Sequence, residues 1–231
     1  MFPIEKKLIK KNNPNTFIKP VGLVIHETAN PNADALMHYK YFNNTYRGSS
    51  AHAFIDWNRI VQTINWNKKA WHAGRTANKY FIGIELCHAT TTDKFNVVYN
   101  QAVELFAFLF VEVLGIKTVT NENLMSHDEV SNKWKETDHK DPISYFAKFG
   151  KTVDGFRSDV QNQIKKSIIK EVLGMFSDDN KIGTWAKPSV DRLVKLGLLK
   201  GDENNKFNPQ NFLTREQFAV VADKILQLLG R

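Results

Sequence analysis

Three stretches of the chain carry the residue types of a hydrolytic metal site. They are V-G-L-V-I-His26-E-T-A, I-G-I-Glu85-L, and the run from S-His127-D to D-His139-K-Asp141-P. Each candidate stands in or just beyond a short apolar, strand-like run, so a folded core can bring them together. His26 ends such a run, and a lone histidine there is as a rule structural. The H-E-x-x-H helix of metalloproteases is excluded, because position 30 is Asn. His127 and Asp141 change the balance: two histidines and a carboxylate, one of them distant in sequence, form the donor set of an open catalytic zinc site. The fourth position of such a site is left for water. Taken alone, H-D-E-V-S-N-K-W-K-E-T-D-H-K-D also reads as a solvated loop of mixed charge. Glu85 interrupts an apolar strand, where a carboxylate is expensive unless it is used or paired. It suits a base that takes a proton from water and returns it to a leaving amine, the alternative being a structural glutamate.

The elements that must position these residues follow from periodicity. Val21–Ile25 is a β-branched apolar run, expected to be a buried strand. Asp34 to Asn43 has apolar residues at helical spacing after an Asx-type start at Asn30–Asn32. Ala51–Asp56 and Ile60–Asn65 alternate like paired strands around a D-W-N-R turn, and Phe81–Cys87 is a further strand. Asn100 to Gly115 is apolar on most faces, predicting an internal helix with Gly115 as C-cap. The order of strands and helices points to an α/β domain, a central mixed β-sheet flanked by helices.

A charged amphipathic helix or helix pair is expected around Val153–Phe176, then a polar break at Ser177–Lys181. Beyond it the pattern is a small all-α helix-loop-helix: helix Ser189–Gly197, a polar turn from Gly201, and helix Arg215–Leu229 with Thr214 and Gln217 as an N-cap signal. This divides the chain into residues 1–160, a connector at 161–180, and a unit at 181–231. A unit so small buries little by itself, so docking, oligomerisation or a repeated copy is expected of it.

With 231 residues, 42% of them hydrophobic, the composition is that of a globular protein. The formal net charge of +8 implies an anionic partner or surface, unless Lys is simply abundant. The single cysteine, Cys87, cannot form an internal disulfide, and its apolar setting suits a wall position better than a nucleophile. No 7–15-residue apolar stretch of a secretory signal is visible at the start, and no run approaches the ~18 apolar residues of a membrane span. Synthesis in the cytoplasm, action after release, and no membrane partner are therefore expected.

Taken together, V-I-His26-E-T-A, S-A-His52-A-F-I-D, A-Trp71-His72-A-G, I-G-I-Glu85-L and the loop from S-His127 to H-K-Asp141-P resemble the zinc-dependent N-acetylmuramoyl-L-alanine amidases of type 2. That group also contains peptidoglycan-recognition proteins and several phage endolysins. The resemblance spans about Val21 to Phe149. It implies one Zn2+ bound by His26, His127 and Asp141, with Glu85 as base. Many members place a Lys two residues before the last ligand to stabilise the oxyanion; here His139 stands there, and a protonated or N–H-donating imidazole suits the same task. The resemblance also implies that His52, Trp71 and His72 wall the substrate groove, although His52 also suits a structural role and Trp71 suits the core equally well.

Trp185 to Val220 resembles one S-layer-homology motif, with its turn ending in F-N-P and its second helix opening at T-R-E-Q. Such modules bind anionic secondary cell-wall polymers, usually in threes. Arg215, with its planar fork, is then the residue suited to an acidic sugar, and an oligomer could supply further copies. The alternative is a hairpin that merely docks on the rest of the chain. The combined expectation is a peptidoglycan amidase of phage or prophage endolysin type. The alternative is a non-catalytic peptidoglycan-binding module, which loss of a metal ligand would mark. No nucleic-acid reader motif is present to make use of the basic surface.

Overall fold

The computed structural model describes residues 1–172 and 176–228. The chain divides into two compact units, Met1–Ile164 and Lys165–Arg231. The first is built on a mixed sheet of six strands: β1 (Ile4–Lys6), β2 (Gly22–Glu27), β3 (Ala53–Ile55), β4 (Ile60–Gln62), β5 (Phe81–Leu86) and β6 (Leu124–Ser126). Their spatial order is β1-β4-β3-β5-β2-β6, and only the β3–β4 hairpin is antiparallel. Helices α1 (Ala35–Asn44), α2 (Gly74–Tyr80) and α3 (Thr92–Phe108) connect the strands, and α4 (His127–Trp134), α5 (Ile143–Lys148) and α6 (Val153–Val172) follow the last of them.

Both faces of the sheet are covered. Phe54 and Val61 pack with Ala35, Ala51 and Cys87 beneath α1, and the His38 ring of α1 stacks on Phe54 at 5.1 Å. Val24 and Met125 pack with Ala73 just before α2, Ala77 of α2 and Val130 of α4. Side chains alternate along a strand, so Ile25, Ile55 and Ile84 point the other way, and α3 packs against β3 and β5. The aromatic core that α3 shares with α5 and α6 includes Phe95 stacked on Phe149 at 4.0 Å and Phe106 against Phe156 at 5.0 Å.

Several expectations are corrected by this layering. β3 and β4 are wholly buried rather than alternating, because the sheet has no solvated face there. Helix α1 begins later than Asn30–Asn32: Asp34 is its N-cap, accepting from the Met37 N–H at 2.7 Å. Helix α3 starts at Thr92, not Asn100, and continues as a single π turn over Leu109–Val113. Gly115 follows at φ +68°, the left-handed conformation a helix stop needs. By length and composition Thr92–Val113 does suffice to cross a membrane, contrary to the sequence reading, but half of it is buried in this core.

In the second unit, Phe176, Ile182 and Val190 form a small core with Val194 and Phe207. Helix α7 (Lys187–Lys195) leads into the polar turn, and α8 (Arg215–Leu228) opens as expected. Thr214 Oγ1 accepts from the Gln217 N–H at 3.1 Å, and Gln217 Oε1 accepts from the Thr214 N–H at 3.0 Å. Leu229, the expected end of that helix, and residues 173–175 of the expected connector lie outside the described residues.

Candidate metal centre

The candidate residues meet at the carboxyl ends of three neighbouring parallel strands, where open α/β sheets hold ligands. In the β2–β5 pairing His26 stands opposite Glu85, and in the β2–β6 pairing Ile25 stands opposite Ser126. His127, one residue on, therefore comes alongside His26. Residues opposite one another share a face of the sheet, so His26 and Glu85 rise together on the α1 side.

His26 Nδ1 lies 3.0 Å from His127 Nδ1 and 3.2 Å from Asp141 Oδ2, while His127 Nδ1 lies 3.1 Å from Asp141 Oδ1. One donor atom from each of the three falls within 4.8 Å of the others. Two buried imidazole nitrogens facing each other across a carboxylate form a cradle for a cation, and an N, N, O donor set suits Zn2+. Glu85 lines the same cavity, of about 570 Å³, as do His139 and Trp71, and its buried Oε2 has no hydrogen-bond partner among the described residues.

The strand-borne ligand is held by the sheet, the other two by side chains. His127 is the first residue of α4, not a loop residue as its polar surroundings implied. A capping box formed by Ser126 and Glu129 starts that helix. The buried Arg157 of α6 braces it, pairing with Glu129 and donating from Nε to the Leu124 carbonyl at 2.8 Å. His127 Nε2 meets Thr137 Oγ1 at 3.3 Å. The Ser131 hydroxyl donates to the His139 carbonyl at 2.9 Å, and the Glu27 N–H donates to Asp141 Oδ2 at 3.3 Å. The His139 ring is exposed and stacks on His127 at 4.6 Å, nearly parallel. Nothing in the sequence signals the bracing by Thr137 and Arg157, which join segments through tertiary packing.

Burial sets the protonation of the site. It pushes the Glu85 carboxyl well above the usual carboxylate range, with the negative charges of Asp141 and Glu27 adding to it. Burial lowers His26 against the opposing pull of Asp141. Burial alone would raise Asp141, but hydrogen bonds from His127 and His26 hold it below its ordinary value. Cys87 is fully buried in the core with Phe54 and Val61 and its thiol is raised by that burial, so it is a core filler and no nucleophile.

One groove-wall expectation is corrected. His52 has no exposed surface: its Nε2–H donates to the Lys68 carbonyl at 2.8 Å and its Nδ1 accepts from the Gly83 N–H at 3.0 Å. It is structural, and burial lowers its pKa to about 4 against the pull of those two bonds. His72 lines the cavity, but both ring nitrogens are used inside the protein. Nδ1 lies 3.0 Å from His26 Nε2, and Nε2 lies 3.1 Å from the Phe81 carbonyl. Trp71 keeps a half-buried place on the cavity wall. In the second unit, Arg215 is exposed.

Comparison with known proteins adds to this geometry. The family model described as N-acetylmuramoyl-L-alanine amidase matches residues 16–144, and the S-layer homology domain matches residues 176–219. Protein Ami of Listeria monocytogenes is 33% identical over 170 residues, 70% of this chain and 18% of that protein. The bifunctional autolysin of Staphylococcus epidermidis is 31% identical over 132 residues, 55% of this chain and 10% of that protein. The chain thus spans less than a fifth of these curated relatives. Among solved structures, Staphylococcus aureus hydrolase AmiA superposes with a TM-score of 0.66 at 25% identity, over 74% of this chain and 87% of that one. A mutant endolysin from Bacillus subtilis gives 0.58 at 27% identity, over 69% and 99%.

Proposed function

The chain belongs to the N-acetylmuramoyl-L-alanine amidase family, and on that premise we propose that it hydrolyses the amide joining muramic acid to L-alanine in peptidoglycan. One observation carries the reading. His26, His127 and Asp141 converge from three segments beside Glu85, inside one cavity. A Zn2+ held by these three would lower the pKa of a coordinated water to about 7 and polarise the scissile carbonyl. Glu85, lining the same cavity, would take a proton from the attacking water and return it to the departing amine. Burial raises its carboxyl above the usual carboxylate range, the direction that favours holding the proton until the amine departs. His139, exposed at the cavity edge, is placed to donate an N–H to the oxyanion. Trp71 offers a flat wall to the glycan–peptide.

Residues 1–160 then form the catalytic part, 161–180 a connector whose Phe176 packs into the core of the next part, and 181–231 a wall-binding part; the unit boundary at Ile164 and Lys165 supports the first limit. In the last part Arg215 meets an acidic group of a secondary wall polymer, and oligomers can supply further copies of the motif. We assign the chain to the endolysin type acting on the cell wall.

The test is digestion of purified Gram-positive cell walls with native, chelator-stripped and zinc-restored protein, reading turbidity and new amino termini. Lysis that exposes N-terminal alanine, stops on stripping and returns with zinc is expected. Cosedimentation with walls but no new termini would replace the enzyme with a binding module.

A further inference from the structure

The Phe81 carbonyl can only accept a hydrogen bond, so the His72 Nε2 facing it at 3.1 Å must carry a proton. A second proton on Nδ1 would make His72 a buried cation whose only ring partners are a carbonyl and an imidazole, an expensive arrangement. His72 Nδ1 is therefore a bare acceptor. The His26 Nε2 that lies 3.0 Å from it must then be the donor. With its proton there, His26 turns the lone pair of Nδ1 toward His127 and Asp141. A backbone carbonyl thus sets the tautomer of a ligand two hydrogen bonds away.

Gly83 makes this chain possible. It lies two residues before Glu85 on β5, and a Cβ there would stand 2.4 Å from His72 Cγ and Nδ1. The His72 ring occupies the space that any other residue at position 83 would fill. The His72 backbone N–H donates to Asn78 Oδ1 at 2.7 Å, which fixes the ring's root.

We infer that His72 is a positioning residue, fixing His26 as the Nε2–H tautomer so that Nδ1 is presented to the metal, with Gly83 as its required clearance. The inference rests on the reading of His26 as a metal ligand. It assigns His72 a task inside the protein in place of contact with substrate.

Two measurements test it. In the metal-free wild-type chain, nitrogen-15 NMR of the imidazoles should show the His26 proton on Nε2; finding it on Nδ1 overturns the inference. Zinc affinity, read by competition with a chromophoric chelator, should weaken about 10- to 100-fold in His72→Phe, the usual effect of removing such an outer partner. Gly83→Ala should weaken it likewise by pushing the ring out. His72→Asn, whose Oδ1 can stand where Nδ1 does, should recover most of the affinity, which a loss of packing alone would not allow. A folded His72→Phe with wild-type affinity overturns the inference. Should His72→Phe not fold, the wild-type tautomer and His72→Asn decide. A wild-type chain that binds no zinc would remove the metal-site reading instead, leaving the NMR result to judge His72.

Discussion

The two halves of the candidate centre are held in different ways. His26 and Glu85 sit on adjacent central strands in direct register, where backbone hydrogen bonds fix their spacing and His72 orients the His26 ring. His127, His139 and Asp141 lie at and beyond the start of a short helix, and side chains hold them: the Ser126–Glu129 capping box, Arg157, Ser131 and Thr137. The strand half is rigid by construction, whereas the other half can be loosened one bond at a time.

Removing a ligand should erase that difference. His26→Ala and Asp141→Ala should both lose zinc retention and wall lysis, checked by metal analysis of the folded variants. If either keeps one zinc per chain and its activity, the donor set is wrong. His139→Ala separates the halves. It should keep zinc while kcat falls about 10²- to 10³-fold, the cost of one oxyanion donor. An unchanged rate would make the exposed ring a bystander.

Acid should attack the strand half first. His52, buried beside Gly83, has a folded pKa near 4 against an ordinary 6.5. The unfolded chain therefore binds its proton first, and stability is lost as pH falls from about 6.5 to 4. That gap corresponds to about 3.5 kcal/mol at ~1.4 kcal/mol per unit. His52→Gln should flatten this limb in urea melts across that range, and an unchanged slope would refute the burial argument. Asp141, held below its ordinary value, keeps its charge over the same range. Arg157→Met should act more mildly on the other half, lowering stability by about 1.5–3 kcal/mol, as for hydrogen bonds to a charged group, and loosening zinc through α4. Equal loosening by a surface substitution elsewhere on α6 would deny Arg157 that role.

The same division governs what the sequence made legible. A histidine closing V-G-L-V-I and a glutamate inside F-I-G-I-E-L stand out because apolar strands make any polar residue an exception. Helix α4 was hidden, since H-D-E-V-S-N-K-W is polar enough to pass for loop and its stability comes from the cap and Arg157. The early start of α3 was hidden for a similar reason. T-D-K-F-N-V-V-Y turns only Phe95, Val98 and Tyr99 inward, too narrow a stripe to announce a helix. The segment A-W-H-A-G lines the cavity, but only coordinates reveal that both ring nitrogens of His72 find partners inside the protein.

The most direct test of the proposed chemistry is Glu85→Gln, assayed for bound zinc and freed N-terminal alanine on the same preparation. The variant should fold, hold one zinc per chain and release amino termini about 10²- to 10⁴-fold more slowly, the range of general acid–base contributions. Release at the wild-type rate with zinc in place would show that another group moves the proton, and the proposed mechanism would be wrong.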